Sequence, residues 1–161
     1  MSDAAVDEGG ALGEAERSEW TISLNLAGWP GAAGSPLATR AIDGLHLTPG
    51  EYWVTLEDTP SGASGYRNAA SRKWSNTIFA IVSTGEEIGR QTLGENCNFP
   101  ERREAQKDFN GPDKKGRPFF VLRVSNVFFH PILGARGNEG ELKLRIRRVR
   151  EIAPTNCQPF P

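Results

Sequence analysis

Two stretches of the chain gather carbonyl, carboxamide and hydroxyl oxygens where strands run into irregular loops. The first goes from Pro49-Gly50-Glu51-Tyr52-Trp53 through a loop to Gly65-Tyr66 and on to Lys73-Trp74. The second goes from Ser125-Asn126-Val127 through a loop to Gly137-Asn138-Glu139-Gly140 and a closing strand. Loops of this kind, held at one end of a β fold, bind hard cations or sugars. The chemistry is recognition, and the chain reads as a binding module rather than an enzyme.

The residues that would support catalysis are sparse. His46 lies between Leu45 and Leu47 and reads as an outward-facing histidine on a strand. His130 follows Phe129 and reads either as a ligand to a hydroxyl or as a packed histidine. No Gly-x-Ser-x-Gly elbow, phosphate loop or His-Glu-x-x-His motif occurs. Two histidines without cysteine clusters do not make a zinc site. Glu86 and Glu87 are adjacent, so a strand would send them to opposite faces. Nothing in the pattern brings Asp108 and Asp113 together, and glycoside hydrolysis would need two convergent carboxylates.

One further feature carries charge. Lys143, Arg145 and Arg147 recur at period two, followed by Arg148 and Arg150. This is either an exposed sheet face that also protects an edge, or an anion-binding stripe for nucleic acid, an acidic glycan or the acidic N-terminal residues. Aromatic residues are few on that strand, which argues against nucleic acid.

The elements that must position these groups are strands. The chain has 161 residues, enough for one core, with 18 Gly and 11 Pro favouring turns over long helices. Net charge is −1, which gives no whole-molecule attraction to nucleic acid. Trp20, Ile22, Leu24 and Leu26 alternate with polar residues, as do Tyr52, Val54 and Leu56, and later Leu142, Leu144 and Ile146. Thr77–Val82 is a short apolar run ended by Ser83-Thr84-Gly85, the pattern of a buried strand turning into a hairpin with Glu87–Leu93. A weak strand is expected near Leu37–Ile42. Phe119–Val127 reads as the strongest strand, and Phe128–Leu133 as an apolar loop. Residues 94–117 read as a solvated excursion, with one or two helical turns at Glu101–Lys107, or as a loop that touches a partner.

Seven or eight strands, no convincing helix and one wet face predict an all-β chain folded as a single antiparallel β-sandwich. Residues 1–18 form an acidic arm, 19–150 the sandwich domain and 151–161 a Pro-rich extended tail. No apolar run reaches the ~20 residues that span a bilayer. The acidic start lacks the basic and apolar regions of a signal peptide, so cytoplasmic synthesis with non-Sec export or assembly into a particle is expected. Cys97 and Cys157 read either as two free thiols or as one bridge fixing the tail.

The order Trp20, Pro49-Gly50, Tyr66, Lys73-Trp74, Ser125-Asn126-Val127 and Asn138-Glu139-Gly140 resembles the PA-IL-like galactophilic lectins, over about residues 19–149. The resemblance implies a jelly-roll or galactose-binding-like sandwich that binds sugar through a calcium ion held by two loops. It places Tyr66, Asn126 and Asn138 at the metal, to which Glu139 is added as a charged ligand. From the residues themselves the ligand is expected at Tyr66, Trp74, Asn126, Val127, His130 and Asn138, with Tyr66 and Trp74 either offering an aromatic face to a sugar ring or packing the sandwich end. The chain departs from the family at Asn126, which stands where the family has Asp, and at Gly137, which replaces an Asn. Calcium affinity follows ligand charge, so the amide at Asn126 weakens that set and Glu139 restores a charge only by turning inward.

Two functions are therefore expected of the chain. One is carbohydrate recognition or adhesion through the loop end. The other is a structural subunit, oligomeric or part of a larger assembly, that uses Phe128, Phe129, Ile132 and Leu133 for protein contacts.

Overall fold

The computed structural model describes residues 18–26, 44–68, 71–94, 98–131 and 137–153. Among the described residues nine strands and one helix follow in chain order: β1 (Glu19–Asn25), β2 (Leu45–Leu47), β3 (Gly50–Glu57), β4 (Gly65–Asn68), β5 (Ile78–Ser83), β6 (Ile88–Leu93), α1 (Arg102–Asn110), β7 (Arg117–Val121), β8 (Ser125–Pro131) and β9 (Asn138–Glu151). They form two antiparallel sheets. One runs β1-β9-β3-β7, with β4 also on β9, and the other runs β2-β8-β5-β6.

This order has a simple origin. β1 pairs with β9, β2 with β8, β3 with β7 and β5 with β6. These are the successive rungs of one long antiparallel ribbon, which β3–β9 and β5–β8 pairing rolls up. The result is the strand order of an eight-stranded jelly roll. β4 adds no rung. β3 pairs with β9 down to Lys143, and β4 resumes on the same side of β9 at Glu141. Ser64 spans the gap, its hydroxyl donating to Glu57 O (2.5 Å) and accepting from Lys143 N–H (3.0 Å).

The period-two residues fill the space between the sheets. Trp20, Tyr52, Val54, Leu142, Leu144 and Ile146 from one sheet meet Leu47, Ile78, Ala80, Val127 and Phe129 from the other in one buried cluster. A chain of rings crosses it: Trp20–Tyr52 (5.9 Å), Tyr52–Phe119 (5.3 Å) and Phe119–Phe129 (5.7 Å, edge to face). Such pairs add about 0.5–1.5 kcal/mol each beyond their buried area.

Two expectations about the elements are corrected. Phe119–Val127 is not one strand. β7 ends at Val121 and β8 starts at Ser125 in the other sheet. Residues 122–124 turn the corner, and alternation continues through them because inward positions resume in phase on the far side. Phe128 and Phe129 are likewise not loop residues but the middle of β8. Phe129 is 2% exposed, and the Phe128 ring lies where a side chain on Gly44 would sit. Neither is open to a partner in the way a loop residue would be. Ile132, Leu133, the 37–42 strand, both cysteines, residues 1–17 and residues 154–161 lie outside the described residues.

The segment expected to be solvated contains α1, and the helix is structural. β7 covers β3 only from Gly50 to Val54, which leaves an open edge at Leu56 and along β4. Helix α1 fills it with side chains. Asn110 accepts from Leu56 N–H (2.7 Å) and donates to Leu56 O (2.9 Å), as a neighbouring strand would. Gln106 accepts from Ser64 N–H (2.6 Å). Ala105 and Phe109 on the same side are fully buried. The other free edge is treated alike: Gln91 of β6 donates to Phe120 O (2.8 Å) and accepts from Phe120 N–H (2.9 Å) on β7.

Asn110→Ala is expected to destabilise the fold by about 1–3 kcal/mol, the cost of leaving a strand N–H and C=O without partners. Urea unfolding checks this. A variant within ~0.5 kcal/mol of the parent would mean that the edge is satisfied by solvent instead.

Candidate functional site

The region expected to carry recognition is centred on β4 and the start of β9. Tyr66 pairs with Gly140, and Asn68 with Asn138. Gly140 (φ +112°) is required here, since a Cβ on it would lie 2.3 Å from Gly65 O. Gly65 in turn leaves room for the Arg102 stem at the start of α1, 3.0 Å from where its own Cβ would be. The glycines of the Gly65-Tyr66 and Asn138-Glu139-Gly140 motifs therefore serve close backbone approach.

Alternation along β4 turns Tyr66 inward and Arg67 outward. The Tyr66 ring is 2% exposed, its hydroxyl donates to Thr77 O (2.5 Å), and its carbonyl accepts from Ser75 N–H (2.8 Å). Trp74 is held beside it by paired backbone bonds to Phe99. The half-buried indole carries two cations: the Arg67 guanidinium 4.4 Å from the ring centroid and the Arg102 guanidinium 5.4 Å away. Arg67 also binds Glu139 (2.7 Å). Arg102 donates to Ser61 Oγ (3.0 Å), which donates to Glu141 (2.5 Å). The Ser61 hydroxyl, then Thr59, holds the Glu141 carboxyl below its ordinary value, while burial lowers that of Arg102. Arg102 Nε is buried without a protein partner. The corner thus presents two guanidinium groups, two carboxylates and a hydroxyl around one indole.

The expected site residues divide between two poles. Tyr66, Trp74, Asn138 and Glu139 come together. His130 lies toward the same pole, across from Phe79, but is 3% exposed with its Nδ1 against Pro131 O. Asn126 and Val127 do not join them. Asn126 pairs with Ser83 and His46 at the far end of the second sheet, five rungs from Ile78, a separation of about 17 Å at strand rise. It is exposed and sits 3.1 Å from His46 Nδ1. Val127 is fully buried.

The calcium set that the resemblance implies does not fit. Its tyrosine carbonyl is engaged by Ser75, its Asn126 is at the other pole, Glu139 is paired with Arg67, and Asn138 is 7% exposed. Among the described residues no three His, Cys, Asp or Glu side chains cluster to hold a metal, and no helix is long and apolar enough to cross a membrane. Comparison with protein-family models, curated proteins and solved structures finds no match to this chain.

Sequence reasoning missed Arg67, Arg102, Ser61 and Glu141. Arg67 was within reach, because alternation places the neighbour of an inward Tyr66 outward. Arg102 and Ser61 depend on where α1 docks.

The Glu141 shift has a pH consequence. A carboxyl lowered in the folded state contributes stability that is present above its unfolded value and lost as pH falls through the folded value. Glu141→Gln should therefore be less stable than the parent at pH 7, with the gap narrowing below about pH 4. Urea midpoints at pH 7 and pH 3 test this; a constant gap would sever the link to Glu141 ionisation.

Proposed function

We propose that the chain is a non-catalytic binding module that recognises carbohydrate at the Trp74 corner. The observation that carries the reading is the grouping of Arg67, Arg102, Glu139, Glu141 and Ser61 around one half-buried indole. Planar charged groups donate and accept in fixed directions, which suits neighbouring hydroxyls on a sugar ring. The galactophilic-lectin resemblance supports the ligand class, but the binding proposed here needs no calcium.

An array of uncharged glycans with and without a chelator tests this. Binding should survive the chelator and fall at least tenfold in Trp74→Ala, since loss of the indole removes an apolar contact and the seat of both guanidinium groups. An array without a hit, or binding indifferent to Trp74→Ala, would overturn it.

A second reading, a subunit of a larger assembly, is favoured by a different observation. Ile88 (59% exposed), Val124 (49%) and Phe120 (36%) lie along the seam where Gln91 joins β6 to β7 and Arg123 binds Glu87 (2.6 Å). Exposed apolar groups gathered in one place mark contact surfaces. Native mass spectrometry decides: a monomer at every concentration counts against assembly from copies of this chain.

A further inference from the structure

The outer face of the first sheet borders a cleft at the other end of α1 from the Trp74 corner. Trp53, Thr55 and Glu57 of β3 stand opposite Arg147, Arg145 and Lys143 of β9. Helix α1 and the 111–116 turn rise beside this face and enclose a cleft of about 1000 Å³.

The turn is built to stay in place. Gly116 (φ +90°) passes so close to β3 that a Cβ would lie 1.9 Å from Val54 O. Gly116 N–H donates to Asn110 O (2.9 Å), Lys114 N–H to Gly111 O (3.1 Å) and Lys115 N–H to Asp113 Oδ1 (3.0 Å). Lys114 is held at φ +62°, a conformation that costs a non-glycine residue energy. A strained backbone that is pinned on both sides is a reason to ask what it presents, and here it presents two lysines.

The cleft's charges are unequal. Six basic and three acidic residues line it. Of the acidic ones, Asp58 is held by Arg103 and Asp108 by Arg117, while Arg145 is taken by Glu19. Lys107, Lys114, Lys115 and Arg147 make no ion pair with a described carboxylate. Four unmatched cations around one concavity attract an anion. The remaining lining narrows its class. Glu57 adds a carboxylate acceptor, and the half-buried indole of Trp53 stands beside Arg147, while the Gln106 and Asn110 amides are engaged at the sheet edge. Among the described residues no aromatic ring lines the cleft itself, so stacked bases have no platform, and the Glu57 carboxylate on the wall suits hydroxyls better than dense phosphate.

We propose that this cleft is a binding site for an acidic polysaccharide, whose sulfate or carboxylate groups meet Lys107, Lys114, Lys115 and Arg147 and whose hydroxyls meet the Glu57 carboxylate between them. Its occupancy does not depend on the Trp74 corner.

Titration calorimetry on the full chain tests the site, with heparin, polygalacturonate, neutral dextran and a single-stranded oligonucleotide as probes at 50 and 200 mM salt. The expected result is binding to one or both acidic glycans, weaker at the higher salt, with none to dextran. Lys107→Gln with Lys114→Asn and Lys115→Gln should weaken that binding about tenfold or more. These side chains are exposed, and Asn accepts the left-handed backbone at position 114. Lys107→Glu alone should weaken it in the same direction. Arg72→Gln with Lys73→Gln, which removes charge elsewhere, should not, and neither should Trp74→Ala. Failure of the parent chain to bind either acidic glycan would overturn the proposal, as would full binding in the lysine variants, equal loss in the Arg72/Lys73 control, or tighter binding of the oligonucleotide than of either glycan.

Discussion

The architecture turns on one open edge. Once β7 leaves β3 after Val54, the amide and carbonyl of Leu56 face outward with no strand to receive them, and β4 extends the same edge beyond. Buried backbone groups without partners are costly. A further strand would satisfy them but would present a new edge of its own. The chain uses carboxamides instead, because a primary amide offers one acceptor and two donors in the geometry of a peptide unit. Asn110 at Leu56 and Gln106 at Ser64 end the sheet without extending it.

That solution also creates the two surfaces of interest. A helix anchored through its polar residues need bury only a narrow face, here Ala105, Gln106 and Phe109. Its first turn then overlies β4, where Arg102 reaches Trp74. Its last turn leads into the 111–116 segment, where Gly116 fits under Val54 O. The corner and the cleft are thus opposite ends of one docking event. Arg117 ties the far end by donating to Phe109 O (3.0 Å) and Asp108 O (3.0 Å), so β7, the helix end and the cleft wall form one connected unit.

Much of the fold was legible as alternation. The inward sets of β1, β3 and β9 follow from period two, because one wet face imposes it, and the β5–β6 hairpin follows from a short apolar run ended by Ser83-Thr84-Gly85. Two elements were not legible, for opposite reasons. The corner at 122–124 hides because both flanking strands keep the same phase and no Gly or Pro marks the bend. Helix α1 hides because its buried face contains only two apolar residues, and its third member is a glutamine whose value depends on a distant strand edge. The site was partly legible: Tyr66, Trp74, Asn138 and Glu139 are neighbours, but as residues of a β4–β9 ladder rather than of facing loops. Asn126 was assigned to them by resemblance, and the rolled topology carries it to the other pole.

The basic stripe shows why strand pattern alone could not decide between a solvated face and a binding surface. Lys143, Arg145 and Arg147 have identical periodicity but different neighbours. Arg145 is satisfied by Glu19 from β1, and the Glu19 carboxylate holds its guanidinium above the ordinary value. Lys143 stands opposite Glu57, whereas Arg147 stands between Trp53 and Glu19, and the Glu19 carboxylate is the one that Arg145 binds. The unmatched charge of the face therefore collects at the end nearest Lys114 and Lys115, whose position depends on α1. A stripe that reads as uniform in the sequence becomes a gradient in the fold, and its Arg145 and Arg147 end, completed by residues from a helix and a turn, lines the concavity that separates a binding site from a wet surface.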